Sequence, residues 1–206
     1  MEFRHVIPLG SRCRTTHNLR LHFGEPGKFP FDWFILPLAG LITCLEEGMD
    51  AAKVFDPAHL KPVLDEKGVI QTIRNTRLGI LHQHDFPSGV GQPILPGWEE
   101  HIPGAIGRFA NVAARMRAAA AAGPVLYVRE RYKSDDPTTL LRLRTALEAV
   151  APRGTFHLLA VNYPPDSVPQ GVEAITVEET EGHGWRGDAA ARGSALGATG
   201  HRLAVP

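Results

Sequence analysis

The chain has 206 residues, enough for one sizeable core, and its 43% apolar and 21% charged fractions are those of an ordinary globular protein. The 22 basic residues equal the 22 acidic ones, so no charge excess favours a nucleic-acid partner. Two cysteines are too few for a disulfide scaffold, no apolar run approaches the ~20 residues of a membrane helix, and the first residues lack the layout of a secretory leader. These features predict a cytoplasmic protein with reduced thiols and no membrane partner.

In chain order, residues 3–9 predict a first strand, short or bulged because of Pro8 and stopped by Gly10 and Ser11. Residues 13–22 carry no Gly or Pro, and Leu19 and Phe23 lie four apart, which predicts a short amphipathic helix beginning at Cys13. A Gly- and Pro-rich loop follows at 24–30. A buried helix is expected over 35–47, with Pro37 in its first turn and Cys44 as a core residue. Residues 55–75 read as irregular and polar, and 78–86 as a strand ending in His84 and Asp85. The Pro-rich stretch 87–103 suits a lid or binding loop. The longest helical signal covers 102–122 and is closed by Gly123 and Pro124. A short strand at 125–128, a helix at 137–150 capped by Asp136, and strands at 156–161 and 172–177 complete the pattern.

A strand, a helix and a second strand in succession form a parallel crossover unit, and the continuous apolar runs suit strands covered on both faces. The expected fold is a single α/β domain over 1–206: a three-layer sandwich with a mainly parallel sheet, Rossmann-like or SGNH-like in layout. A loosely held, Gly- and Ala-rich tail is expected from about 181.

Catalytic and binding groups of open parallel sheets gather at the carboxyl ends of the strands. Here those ends carry Ser11 and Cys13, His84 and Asp85, Arg129, and Asn162. Cys13 at a helix N-terminus between Arg12 and Arg14 suits a thiolate nucleophile, because partial positive charge and free N–H groups favour the ionised sulfur and an oxyanion. The competing reading is a small buried residue. A thiol nucleophile needs a base, for which His84 is best placed, and an orienting group, for which Asp85, Asp32 and Asn162 are candidates. His82 would share the face of His84. Asp32 in Phe31-Asp32-Trp33 also suits a helix cap, and Arg129 suits a bidentate contact to a substrate carboxylate or phosphate. Ser11 is placed to contact substrate and, with His183, is the runner-up nucleophile of an esterase-like reading. No dinucleotide, P-loop, zincin or C-x-x-C motif is present, so neither a cofactor nor a metal is expected.

Leu9-Gly10-Ser11-Arg12-Cys13, Pro30-Phe31-Asp32-Trp33, His84-Asp85-Phe86, Ile106-Gly107-Arg108-Phe109 and Leu126-Tyr127-Val128-Arg129 together resemble DUF1796, a family described as papain-like cysteine peptidases. The resemblance covers about the first 130 residues. It implies a Cys nucleophile at Cys13 and a His base at His84. The Cys, His, Asn order of such enzymes would be met by Asn162. The expectation is a cysteine-dependent hydrolase or acyl-transfer enzyme acting on a small-molecule or peptide substrate. The alternative is a non-catalytic sugar- or nucleotide-binding protein accessory to glycan or polymer assembly, with Cys13 only packing.

Overall fold

The computed structural model describes residues 1–24, 27–88, 93–150, 152, 154–179 and 184–204. Its frame is a four-stranded sheet of β2 (His5–Pro8), β6 (Val125–Glu130), β7 (Phe156–Val161) and β8 (Glu173–Ile175), in that spatial order and parallel throughout. Strand β6 is buried along its whole length, which is why its sequence is apolar without alternation. Strand β2 lies at the sheet's edge, where Pro8 can be tolerated because no outer neighbour needs its missing N–H.

Successive residues of β6 serve different cores. Leu126 and Val128 join Val6, Leu159, Val161, Leu19 of α1 (Cys13–Phe23) and Leu196 of α6 (Ala189–Ala198). Val125 and Tyr127 join Ile7, Leu158 and Ala160 in a larger cluster. That cluster also takes the apolar faces of α2 (Leu38–Glu46), α4 (Ile102–Ala122) and α5 (Leu140–Val150). Each face of the sheet therefore carries its own apolar cluster, and the chain is mixed α/β around a parallel sheet.

The structure differs from the sequence reading in three places. Residues 55–75 are not irregular: α3 (Ala51–Val54) leads into an antiparallel sheet of β3 (Leu60–Leu64), β4 (Ile70–Asn75) and β5 (Leu81–His82). Strand β3 hides only Leu60 and carries Pro62 and a register shift at Val63/Leu64, so it shows no alternation. The strand expected over 78–86 shrinks to β5, because Gly79 turns the chain at φ +71° and residues 83–86 bend away from the sheet. The stretch expected as a loose tail holds α6, capped by the Asp188 carboxylate on the Ala191 N–H at 2.9 Å, and β9 (Arg202–Leu203), which pairs in parallel with β1 (Glu2–Phe3).

Candidate functional site

The site begins where β2 ends. Gly10 and Ser11 both take positive φ, +70° and +84°, and lift the chain out of the sheet. For Ser11 this conformation is strained, costing about 1–3 kcal/mol, and such strain concentrates where a side chain must be aimed. Arg12 is extended and Cys13 opens α1, so the sulfur sits at a helix N-terminus, whose first turn is closed by the Thr15 N–H on the Arg12 carbonyl at 3.1 Å.

Three sets of bonds fix this turn. The fully buried Arg129 donates to the carbonyls of Leu9 and Leu36, each at 2.9 Å, tying the end of β2 to the segment before α2. The Asp135 carboxylate holds that guanidinium at 2.7 Å. Asp135 also accepts from Tyr163 Oη at 2.7 Å, the Tyr132 N–H at 2.9 Å and the Leu38 N–H at 2.8 Å, the last at the start of α2. Buried Glu130 accepts from Arg14 at 2.5 Å, Thr15 at 2.6 Å and Arg192 at 2.9 Å, which pins the first turn of α1 to β6 and α6. Finally, Asp32 accepts from Arg20 at 3.0 Å and the Phe29 N–H at 3.1 Å, while Thr16 Oγ1 donates to its carbonyl. Burial outweighs these donors and pushes the Asp32 carboxyl up to about 6.

These bonds place Trp33 against Cys13, whose thiol faces the Trp33 carbonyl at 3.5 Å, and Arg20 lies over the indole at 5.4 Å. The Leu81 N–H donates to Ile35 O at 2.9 Å, which draws β5 and the following residues alongside. His84 is thereby brought to Cys13, with Nε2 3.7 Å from Sγ and its ring edge-on to Trp33 at 5.6 Å. The two residues are 71 apart in sequence. They line one cleft of about 620 Å³ together with Arg12, Arg14, Gln83, Tyr132 and Lys133.

The cleft is basic. Among the described residues no carboxylate lines it, and Arg14 is neutralised by Glu130 and by Glu179 at 3.1 Å. Among the described residues, Arg12 and Lys133 have no ion-pair partner, and Arg12 rests 5.8 Å over the Tyr132 ring. Burial pushes the Cys13 thiol above its ordinary range, opposed only in part by its own backbone N–H. The charge of Arg14, expected to favour a thiolate, is taken up by the two glutamates, while Arg12 keeps no ion-pair partner among the described residues.

Other expected site residues lie elsewhere. Asp85 does not orient His84; its carboxylate accepts from His82 Nδ1 at 2.9 Å, and Arg108 fixes its carbonyl at 2.7 Å. His82 is wholly buried against Phe34, Phe55 and Phe86; it does not share a face with His84, because β5 ends at His82 and both Gln83 and His84 are exposed beyond it. Arg129, expected to bind substrate, is sealed in the core with Asp135. Ser11 is fully buried and its hydroxyl has no partner among the described residues, so its side chain is closed off from the cleft. Asp32 braces the Trp33 segment from beneath and is absent from the cleft wall. Asn162 accepts from the Val177 N–H at 2.7 Å and closes the end of β7. His183 lies outside the described residues. The residues that sequence reasoning missed are Gln83, Tyr132, Lys133 and Asp135; of these only Asp135, an acid six residues after a strand-end arginine, left a usable signal.

The site thus sets a thiol 3.7 Å from an imidazole in a cleft that also carries Arg12 and Lys133. No protein-family model matches this chain, and no curated protein or solved structure matches it.

Proposed function

We propose that the chain is a cysteine-dependent acyl-transfer enzyme or hydrolase for small molecules or peptides that carry an acidic group near the reacting carbonyl. The observation that carries this reading is the 3.7 Å approach of Cys13 Sγ to His84 Nε2 on the wall of a cleft of about 620 Å³. The resemblance to the DUF1796 peptidases, which rests on the same two residues, points the same way. A cytoplasmic setting with reduced thiols, and a three-layer arrangement around the parallel sheet, belong to the same reading.

In this mechanism Cys13 Sγ attacks the carbonyl carbon while its proton passes to His84 Nε2. The oxyanion forms beside the first N–H groups of α1, which need no reorganisation to receive it. Collapse of the tetrahedral intermediate breaks the bond to the leaving group, which takes the proton from His84 and leaves a thioester on Cys13. Water, deprotonated by His84, then hydrolyses the thioester, or another nucleophile takes the acyl group. Arg12 and Lys133 hold the acidic group, the role that Arg129 cannot fill. Trp33 positions the imidazole in place of a carboxylate.

Incubation with the p-nitrophenyl monoester of succinic acid, followed by intact-mass analysis, tests this. One succinyl adduct on Cys13 is expected, absent in Cys13→Ala and formed more slowly from the neutral acetate ester. An adduct spread over lysines, or unchanged by Cys13→Ala, would sink the proposal. The second reading, a binding protein for an anionic sugar or nucleotide, is favoured by one observation: no carboxylate orients His84 among the described residues. It predicts that Cys13→Ala leaves ligand binding intact and that no adduct ever forms.

A further inference from the structure

A second cluster of chemistry-bearing side chains lies away from Cys13, at the opposite end of the parallel sheet. His157 stands near the start of β7, Glu173 opens the neighbouring β8, and His201 immediately precedes β9. The Nε2 atoms of both histidines converge on one oxygen, Glu173 Oε2, at 2.7 and 2.9 Å. The three potential ligand atoms all lie within 4.8 Å of one another. The two imidazoles are 5.1 Å apart, and Phe3 packs edge-on against His201 at 5.2 Å. No step proposed for the Cys13 cleft uses any of them.

We propose that His157, Glu173 and His201 form a binding site for a divalent transition metal, with zinc as the best-fitting ion. Two imidazole nitrogens and one carboxylate oxygen are a borderline donor set that suits zinc, nickel or cobalt and disfavours calcium and magnesium, which take oxygen ligands. A tetrahedral zinc with ligands about 2.0–2.1 Å away holds them roughly 3.3 Å apart. The present separations of 2.7 and 2.9 Å are those of hydrogen bonds, so the trio must open by about half an ångström to admit the ion. That opening is available: His157 and Glu173 are partly exposed, and solvent on their side would fill the fourth position.

Without metal, each ring donates its Nε2 proton to the carboxylate. Metal entry displaces both protons from Nε2 and leaves His201 with its proton on Nδ1, a buried atom that has no partner among the described residues. His201 is thus the weakest ligand, and the site is of moderate affinity. The ligands come from β7, β8 and the segment joining α6 to β9. A bound ion would therefore cross-link the β1–β9 strand pair to the main sheet.

The test is isothermal titration of the purified, chelator-stripped chain with zinc chloride at pH 7.5, alongside thermal melts with and without zinc. One equivalent of zinc and a rise in melting temperature are expected, with magnesium giving neither. Glu173→Gln keeps an oxygen that both rings can donate to, so the fold should persist; zinc affinity should drop by at least tenfold and the thermal shift should disappear. His157→Gln should behave alike. Zinc binding that survives both substitutions would place the ion on other histidines and overturn the proposal. So would the absence of any single-site binding to the parent chain, which would leave the trio as a hydrogen-bonded clasp.

Discussion

Removing the Asp135 carboxylate separates a structural Arg129 from a substrate-binding one. Both side chains of the pair are fully buried, 0% exposed on either side. Asp135→Ala leaves the guanidinium charged, with the neutral Leu9 and Leu36 carbonyls as acceptors, in a space closed to water. Breaking a buried pair from one side costs about 3–5 kcal/mol. The Tyr163 hydroxyl and the Tyr132 and Leu38 N–H groups also lose their acceptor, at about 1 kcal/mol for each that water cannot reach. The expected loss is about 5 kcal/mol, a large share of a stability of about 5–15 kcal/mol. Urea melts followed by far-UV circular dichroism measure it. In a double-mutant cycle, Arg129→Met/Asp135→Leu should cost clearly less than the sum of the single changes, because no charge is left alone. A loss under about 1 kcal/mol for Asp135→Ala, or additive single effects, would refute the reasoning that Arg129 is a sealed brace for the Cys13 turn.

Two further outcomes follow from the bracing elements. Asp32 has an ordinary pKa of 3.8 that burial raises to about 6, so the folded chain holds this proton more tightly than the unfolded one. Stability is therefore greatest below pH 4 as far as this group is concerned, and roughly 3 kcal/mol is lost as the pH rises from about 4 to 6. Asp32→Asn should remove that fall from the urea-derived stability profile; an unchanged profile would mean the carboxyl titrates as if exposed. Gly40 packs so closely in α2 that a Cβ there would overlap the Leu78 carbonyl, a backbone atom that cannot rotate aside. Gly40→Ala should cost at least about 2 kcal/mol by overpacking, despite alanine's better helix propensity. A stabilised Gly40→Ala protein would show that α2 and the 75–80 turn are not in contact.

The strand-helix-strand core was legible because β6 and β7 are buried on both faces and α4 and α5 carry long, uninterrupted apolar stripes. The β3–β4 hairpin was not, since a strand with four of its five residues exposed and a proline inside has no period to read. Cys13 and His84 were legible as polar groups at element ends, and the structure brings them together. Their supports were not. Whether Asp85 faces His82 or His84 depends on where β5 ends, and a difference of two residues reverses it. Arg129 shows the same limit from another side. A strand-end arginine looks identical in sequence whether it meets a substrate or an Asp135 folded back from the next loop. The pairing of Arg14 was not legible either, because Glu130 and Glu179, which hold it, lie far along the chain.

The most direct test of the thiol–imidazole pair is the rate of Cys13 alkylation by iodoacetamide between pH 6 and 10, with and without His84→Ala. Cys44 is 1% exposed and its thiol is pushed up to about 12, so the folded chain should take label at Cys13 alone. If His84 accepts the thiol proton, its removal should slow labelling by at least about tenfold at pH 7.5, and the two rates should converge toward pH 10, where hydroxide replaces the imidazole as base. Equal rates with and without His84 across the whole range would mean that the 3.7 Å approach moves no proton, and Cys13 would then be a packing residue.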